Sequence, residues 1–85
     1  MPKSVFTDAY AVVVEYLVDL RKAQGVSQVE LARRLGKTQQ FVSLVERKDR
    51  RLDIVEFLVW VRALGADPEV AVLHIARAVP PDAAI

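Results

Sequence analysis

Residues Ser27 to Arg47 read SQVELARRLGKTQQFVSLVER, and the reading of this stretch decides the fold. It reads as two short helices joined by a tight turn. Ser27 is placed to cap the first, its side-chain oxygen accepting a backbone N–H that the helix start leaves free. Leu31, Ala32 and Leu35 then fall on one inward face at helical spacing, and Gly36 supplies the break. Thr38 is the next N-cap. Val42 with Val45 gives the second helix an apolar stripe, while Gln39, Gln40, Ser43 and Arg47 point elsewhere. Polar side chains displayed along the second helix suggest a surface that reads something.

Upstream of this pair, a helix is predicted to begin after Thr7 as N-cap, with Asp8 near the positive end of the helix dipole, and to run to about Gln24. Tyr10, Val13, Val14, Leu17 and Leu20 follow the 3.6-residue period and define its core face. Gly25 ends it as a left-handed C-terminal residue. Val12, Tyr16 and Val18 are apolar beyond what one buried face needs, so a second face is either covered, by another subunit or the N-terminal arm, or carries scattered exposed residues.

Downstream comes the basic loop RKDRRL, then Asp53 and Glu56 at the spacing of a capping box, opening a fourth helix. Ile54, Phe57, Leu58, Val61 and Leu64 trace its buried face, Trp60 adds bulk and Gly65 stops it. Asp67 and Pro68 start a fifth helix, about 68–79, with proline at the first helical position, where its missing N–H costs nothing. Val70, Ala71, Val72, Leu73, Ile75, Ala76 and Val79 leave it almost without a polar face before Pro80-Pro81 end it. Such a helix needs cover on both sides. Val70, Val72, Leu73, Ile75 and Val79 are therefore the candidate dimer interface, with simple packing onto the core as the alternative.

Five helices and no convincing strand give an all-α chain. With no repeat or linker to divide it, residues 1–85 are expected to form one domain with its core at 8–65. Eighty-five residues bury only a modest fraction of their surface, which makes a homodimer plausible. The chain has no cysteine and one histidine, so neither a thiolate metal site nor a histidine cluster is available, and no metal or cofactor is expected. A glycine-rich phosphate loop and a recognisable catalytic triad are also missing from the sequence, which argues against an enzyme. His74 reads as a surface or packed helix residue. No apolar run approaches the roughly 18 residues of a bilayer span, and MPKSVFTDAY does not read as a signal peptide, so a soluble cytoplasmic protein is expected.

The overall charge of +1 hides an asymmetry. From Arg21 to Arg51 nine basic residues face three acids, a net +6, whereas the remainder carries −5. A basic centre in an otherwise acidic chain is the footprint of a nucleic-acid surface or of an ordinary solvated charge face.

Leu20-Arg21, Gly25-Val26-Ser27-Gln28, Leu31-Ala32, Gly36, Thr38-Gln39-Gln40, Val42-Ser43, Val45-Glu46-Arg47 and Ala63-Leu64-Gly65 together resemble the pattern of the Cro and phage-repressor type helix-turn-helix proteins, the xenobiotic-response-element family. The resemblance covers roughly Leu17 to Gly65. It implies a compact five-helix domain of the lambda-repressor-like type, in which the helix from about Gln28 to Leu35 crosses the DNA backbone and that from about Gln39 to Glu46 enters the major groove. It also implies that Arg21 and Glu46 form a structural ion pair, and that Gln28 bonds a phosphate oxygen.

The residue chemistry agrees with that assignment. Gln39 and Gln40 stand at the helix end that faces base edges in this docking mode, and a glutamine amide can bond adenine N6 and N7 together. Ser43 lies one turn further on. Thr38, Lys37, Arg47, Lys48, Arg50 and Arg51 are expected, with Gln28, at phosphates. Three residues depart from the family pattern. Lys48 replaces a usual glycine, so either the turn is built differently or a lysine sits at positive φ. Leu44 replaces a residue that is often polar, and meets either a thymine methyl or a protein. Lys37 replaces an apolar turn residue. Phe41 reads either as packed toward the preceding helix or as an exposed anchor.

The expected function is a sequence-specific DNA-binding regulator, most simply a dimeric repressor on a palindromic double-stranded operator, with no small-molecule ligand. The alternative is a protein-interaction module or antitoxin on the same fold, using Leu44, Phe41 and the last helix to hold a protein partner.

Overall fold

Side-chain caps set the starts of four helices in the computed structural model, which describes residues 3–84, with side chains from Ala9 onward. The elements in order are α1 (Lys3–Ala23), α2 (Gln28–Leu35), α3 (Gln39–Glu46), α4 (Ile54–Ala63) and α5 (Pro68–Ala78). Ser27 Oγ accepts from the Glu30 amide at 3.0 Å and Thr38 Oγ1 from that of Phe41 at 3.1 Å. At α4 the capping box is complete. Asp53 Oδ1 accepts from the Glu56 amide at 2.7 Å while Glu56 Oε1 accepts from the Asp53 amide at 2.9 Å. Asp67 Oδ1 takes the Glu69 amide at 2.9 Å, and Pro68 occupies the first helical position.

The start of α1 departs from expectation. Its backbone is helical from Lys3, so the helix begins before Thr7. Once a helix is nucleated, each added residue gains a hydrogen bond, and a threonine in its path is a weaker stop signal than glycine or proline.

Four helices end alike. After α1, α2 and α4 the chain turns through Gly25, Gly36 and Gly65 at φ between 68° and 75°. The amide of each glycine bonds back three residues, and the next amide bonds back five, as Lys37 does to the Ala32 carbonyl at 2.9 Å. After α3 the residue in that place is Lys48, at φ 67°. Its amide reaches the Val45 carbonyl at 3.0 Å and that of Asp49 reaches Leu44 at 2.9 Å, so the same closure forms with a side chain where the others have a hydrogen.

These caps and turns aim the apolar stripes at one centre. Leu17, Val26, Leu31, Ala32, Val42, Val45, Phe57, Trp60, Val61, Leu64 and Ala71 form the buried cluster. Ile54, expected on the inner face of α4, is 66% exposed, whereas Trp60 is 1% exposed. The α4 face that faces inward therefore runs through Phe57, Trp60, Val61 and Leu64. Tyr10, Val13 and Leu20 flank the core of α1 as half-buried residues, and Ala11, Val14 and Leu17 occupy its centre.

On the second apolar face of α1, Tyr16 meets α5 of its own chain, while Val12 and Val18 are half-buried. Tyr16 packs on the cluster with its ring centroid 4.8 Å from that of His74. The core also extends past residue 65, since Ala71 is fully buried and Ile75 packs against it. Along the rest of α5, Val70, Val72 and Leu73 remain 60%, 42% and 49% exposed.

Candidate nucleic-acid interface

The buried valines of α3 decide what its other side can present. Val42 and Val45 point into the core, which leaves Gln39 and Gln40 exposed and Ser43 and Leu44 half-buried. Leu44 stands outside the apolar cluster and its partly buried neighbours. Phe41, in contrast, packs against the cluster, its ring centroid 6.1 Å from that of Trp60. Lys37 Nζ and Arg50 Cζ stand over the Phe41 ring at 5.3 and 4.8 Å, so the apolar ring supports two cations.

Behind Gln39 runs a continuous chain of hydrogen bonds. Arg21, at the end of α1, donates from Nε to Glu46 Oε2 at 2.6 Å and from Nη2 to Glu46 Oε1 at 3.0 Å, and from Nη1 to the Val26 carbonyl at 2.8 Å. Both side chains of the ion pair are largely buried, at 11% and 7% exposure. Gln28 Nε2 then donates to Glu46 Oε1 at 2.8 Å, and Gln39 Nε2 donates to Gln28 Oε1 at 2.6 Å. The pairing of Arg21 with Glu46 agrees with the family pattern, whereas nothing in the sequence pointed to the two glutamine links. They join the first residues of α2 and α3 to the last residue of α3, a meeting that periodicity within one helix does not report.

The basic residues divide by their partners. Lys37 and Lys48 are exposed, with no ion pair among the described residues. Arg47 pairs with Asp49 at 3.3 Å, both well exposed. Arg51 lies over the Tyr10 ring at 4.5 Å, and the Tyr10 hydroxyl accepts from the Leu52 amide at 3.1 Å. Arg50, expected at a phosphate, is engaged within the chain. It donates to both Glu56 oxygens at 3.0 and 2.9 Å and to the Arg51 carbonyl at 2.7 Å. That pairing holds Glu56 below the usual carboxylate range and raises the Arg50 guanidinium. On α2, Arg33 and Arg34 both donate to Glu30, which brings the Glu30 carboxyl down to about 2.

Thr38 and Gln28 have groups to spare. The Thr38 hydroxyl accepts the Phe41 amide and keeps its proton for an outside acceptor. Gln28 gives one Nε2 proton to Glu46 and retains the other. Among the described residues no group of His, Asp or Glu is arranged to hold a metal ion, and no helix is long and apolar enough to cross a membrane.

Known proteins share this fold. A helix-turn-helix family matches residues 17–70. Among solved structures, an XRE-family like protein from Pseudomonas syringae pv. tomato str. DC3000 superposes with a TM-score of 0.83 at 37% sequence identity, covering 93% of this chain and 96% of that one. No curated protein matches the chain.

Proposed function

The chain belongs to the Cro and phage-repressor type of helix-turn-helix DNA-binding regulators, and from that premise we propose that it is a homodimeric cytoplasmic repressor reading a palindromic operator through α3. The observation that carries this reading is Gln39 at the exposed start of α3, held by Gln28 yet with an oxygen and one N–H free to bond outward. A donor and an acceptor side by side on one plane match the major-groove edge of adenine. Gln40 and Ser43 continue the reading surface, and Leu44 meets a thymine methyl. Gln28 and Thr38 offer their spare protons to phosphates, joined by Lys37, Arg47, Lys48 and Arg51. Arg50 serves the interface indirectly, by bracing the loop that carries Lys48 and Arg51 against Glu56.

The exposed Val70, Val72 and Leu73 on α5 support the homodimer, in which two α3 helices about 34 Å apart meet half-sites one helical turn apart. The same exposure favours a second reading, in which that face holds a different protein.

Selection from random double-stranded DNA at low salt tests the proposal. The wild-type protein is expected to enrich a palindrome. Gln39→Ala with Gln40→Ala relaxes preference at the pairs they read, by about 1–3 kcal/mol for each bidentate pair of hydrogen bonds removed. Lys37→Ala with Lys48→Ala weakens all sequences together and lowers the slope of log affinity against log salt by about 0.9 per phosphate. Folded, dimeric protein that enriches no motif would sink the DNA-reading assignment, and dissociation of the dimer only with a co-purified protein would favour the second reading.

A further inference from the structure

We infer that Glu46 is a specificity-positioning residue for the Gln39 contact, acting through Gln28. The inference rests on the base-reading role proposed for Gln39. A glutamine amide presents an oxygen on one side and an NH2 on the other, and exchanging them swaps acceptor for donor at almost no cost in shape. A reader whose amide turns freely offers DNA two opposite patterns. Here the sense is fixed from below. An ionised carboxylate only accepts, so Gln28, 2.8 Å from Glu46 Oε1, has to turn its NH2 inward. Its oxygen then faces Gln39, which has to turn its own NH2 toward Gln28, at 2.6 Å.

The remaining Oε1 and N–H of Gln39 are thereby presented to the groove in one order. The carboxylate at the base of the chain is itself held by two Arg21 donors at 2.6 and 3.0 Å and is largely buried, so it has little freedom to reorient. Glu46 contacts no base in this scheme. Its negative charge, and not merely its bulk, sets what Gln39 shows.

Glu46→Gln tests the scheme, because a glutamine at this position both donates and accepts and leaves the sense of the chain undetermined. Gln28→Met breaks the chain while keeping the Arg21–Glu46 pair, and so reads the same effect without touching that buried contact. In selections from random DNA, each variant is expected to lose preference at the base pair under Gln39 by about fivefold or more, within the discrimination a bidentate contact supplies. Preference at the pairs read by Gln40 and Ser43 stays within about twofold, and the double variant is no broader than Gln28→Met alone. A uniform fall in affinity with an unchanged motif overturns the inference and leaves Glu46 purely structural. A wild-type protein that selects no motif overturns the base-reading role and this inference together, whereas a sharp motif common to wild type and Gln28→Met overturns this inference alone.

Discussion

Lys48 closes α3 at φ 67°, in the place that glycine takes after α1, α2 and α4. A residue with a Cβ in that region stores strain of order 1–3 kcal/mol. Glycine would remove the strain but enlarge the unfolded ensemble, at about 0.4–1 kcal/mol. The strain is the larger quantity, so Lys48→Gly is expected to stabilise the fold by about 1 kcal/mol in urea denaturation. The same variant loses a cation, and its salt slope for DNA falls by about 0.9 per protomer. A variant less stable than wild type would show that the turn is unstrained. Lys48 was legible in the sequence because one residue type was out of place. The link between Gln28 and Gln39 was not, because it is set by the packing of two helices and not by either residue's neighbours along the chain.

At the scale of single elements, α2 carries its electrostatic support on its outer surface. Glu30 accepts two hydrogen bonds from Arg33 and one from Arg34, and these bring its carboxyl from an ordinary 4.5 down to about 2. A carboxyl whose pKa is depressed on folding contributes stability above its unfolded pKa and loses that contribution as pH falls through the folded one. The contribution of Glu30 is thus whole above about pH 4.5 and fades toward pH 2. Glu56, lowered first by Arg50 and then by the Asp53 amide, acts in the same direction. The thermal midpoint is expected to decline with acid across this window, and Glu30→Gln to make the decline shallower. An identical decline in the variant would remove Glu30 from the account.

Helix ends were the most legible part of these elements, because serine, threonine, aspartate and glycine act through local bonds that any sequence displays. The start of α1 was not legible, since Thr7 is a weak signal that a propagating helix overrides. Nor was the rotation of α4. Ile54 and Trp60 both suit a core, and the placement of Trp60 beside Phe41 decides between them.

For the whole molecule, the decisive surface is the part of α5 that the chain does not cover. Stable interfaces bury about 800 Å² on each partner, which requires several apolar residues beyond Ala71 and Ile75, already packed into the core. Val70→Asp with Leu73→Asp is expected to give a folded monomer in analytical ultracentrifugation that binds a half-site but loses cooperative binding to the full palindrome. A variant that remains dimeric would place the interface on another face. The all-α class and the order of five helices were readable from periodicity. Which side of α5 faces inward was not, because a helix apolar all round carries no periodic signal to choose a side.

Under the base-reading role proposed for Gln39, the chain of bonds from Arg21 through Glu46 and Gln28 to Gln39 also changes where the entropy of recognition is lost. Glutamine side chains have many rotamers, and immobilising one at an interface costs about 0.5–1.5 kcal/mol. In this fold Gln28 is hydrogen-bonded to Glu46 and Gln39 to Gln28 with no DNA present. Their freedom is given up during folding, so DNA meets a surface that is already set, and the unfolded chain, not the unbound one, is where those side chains move.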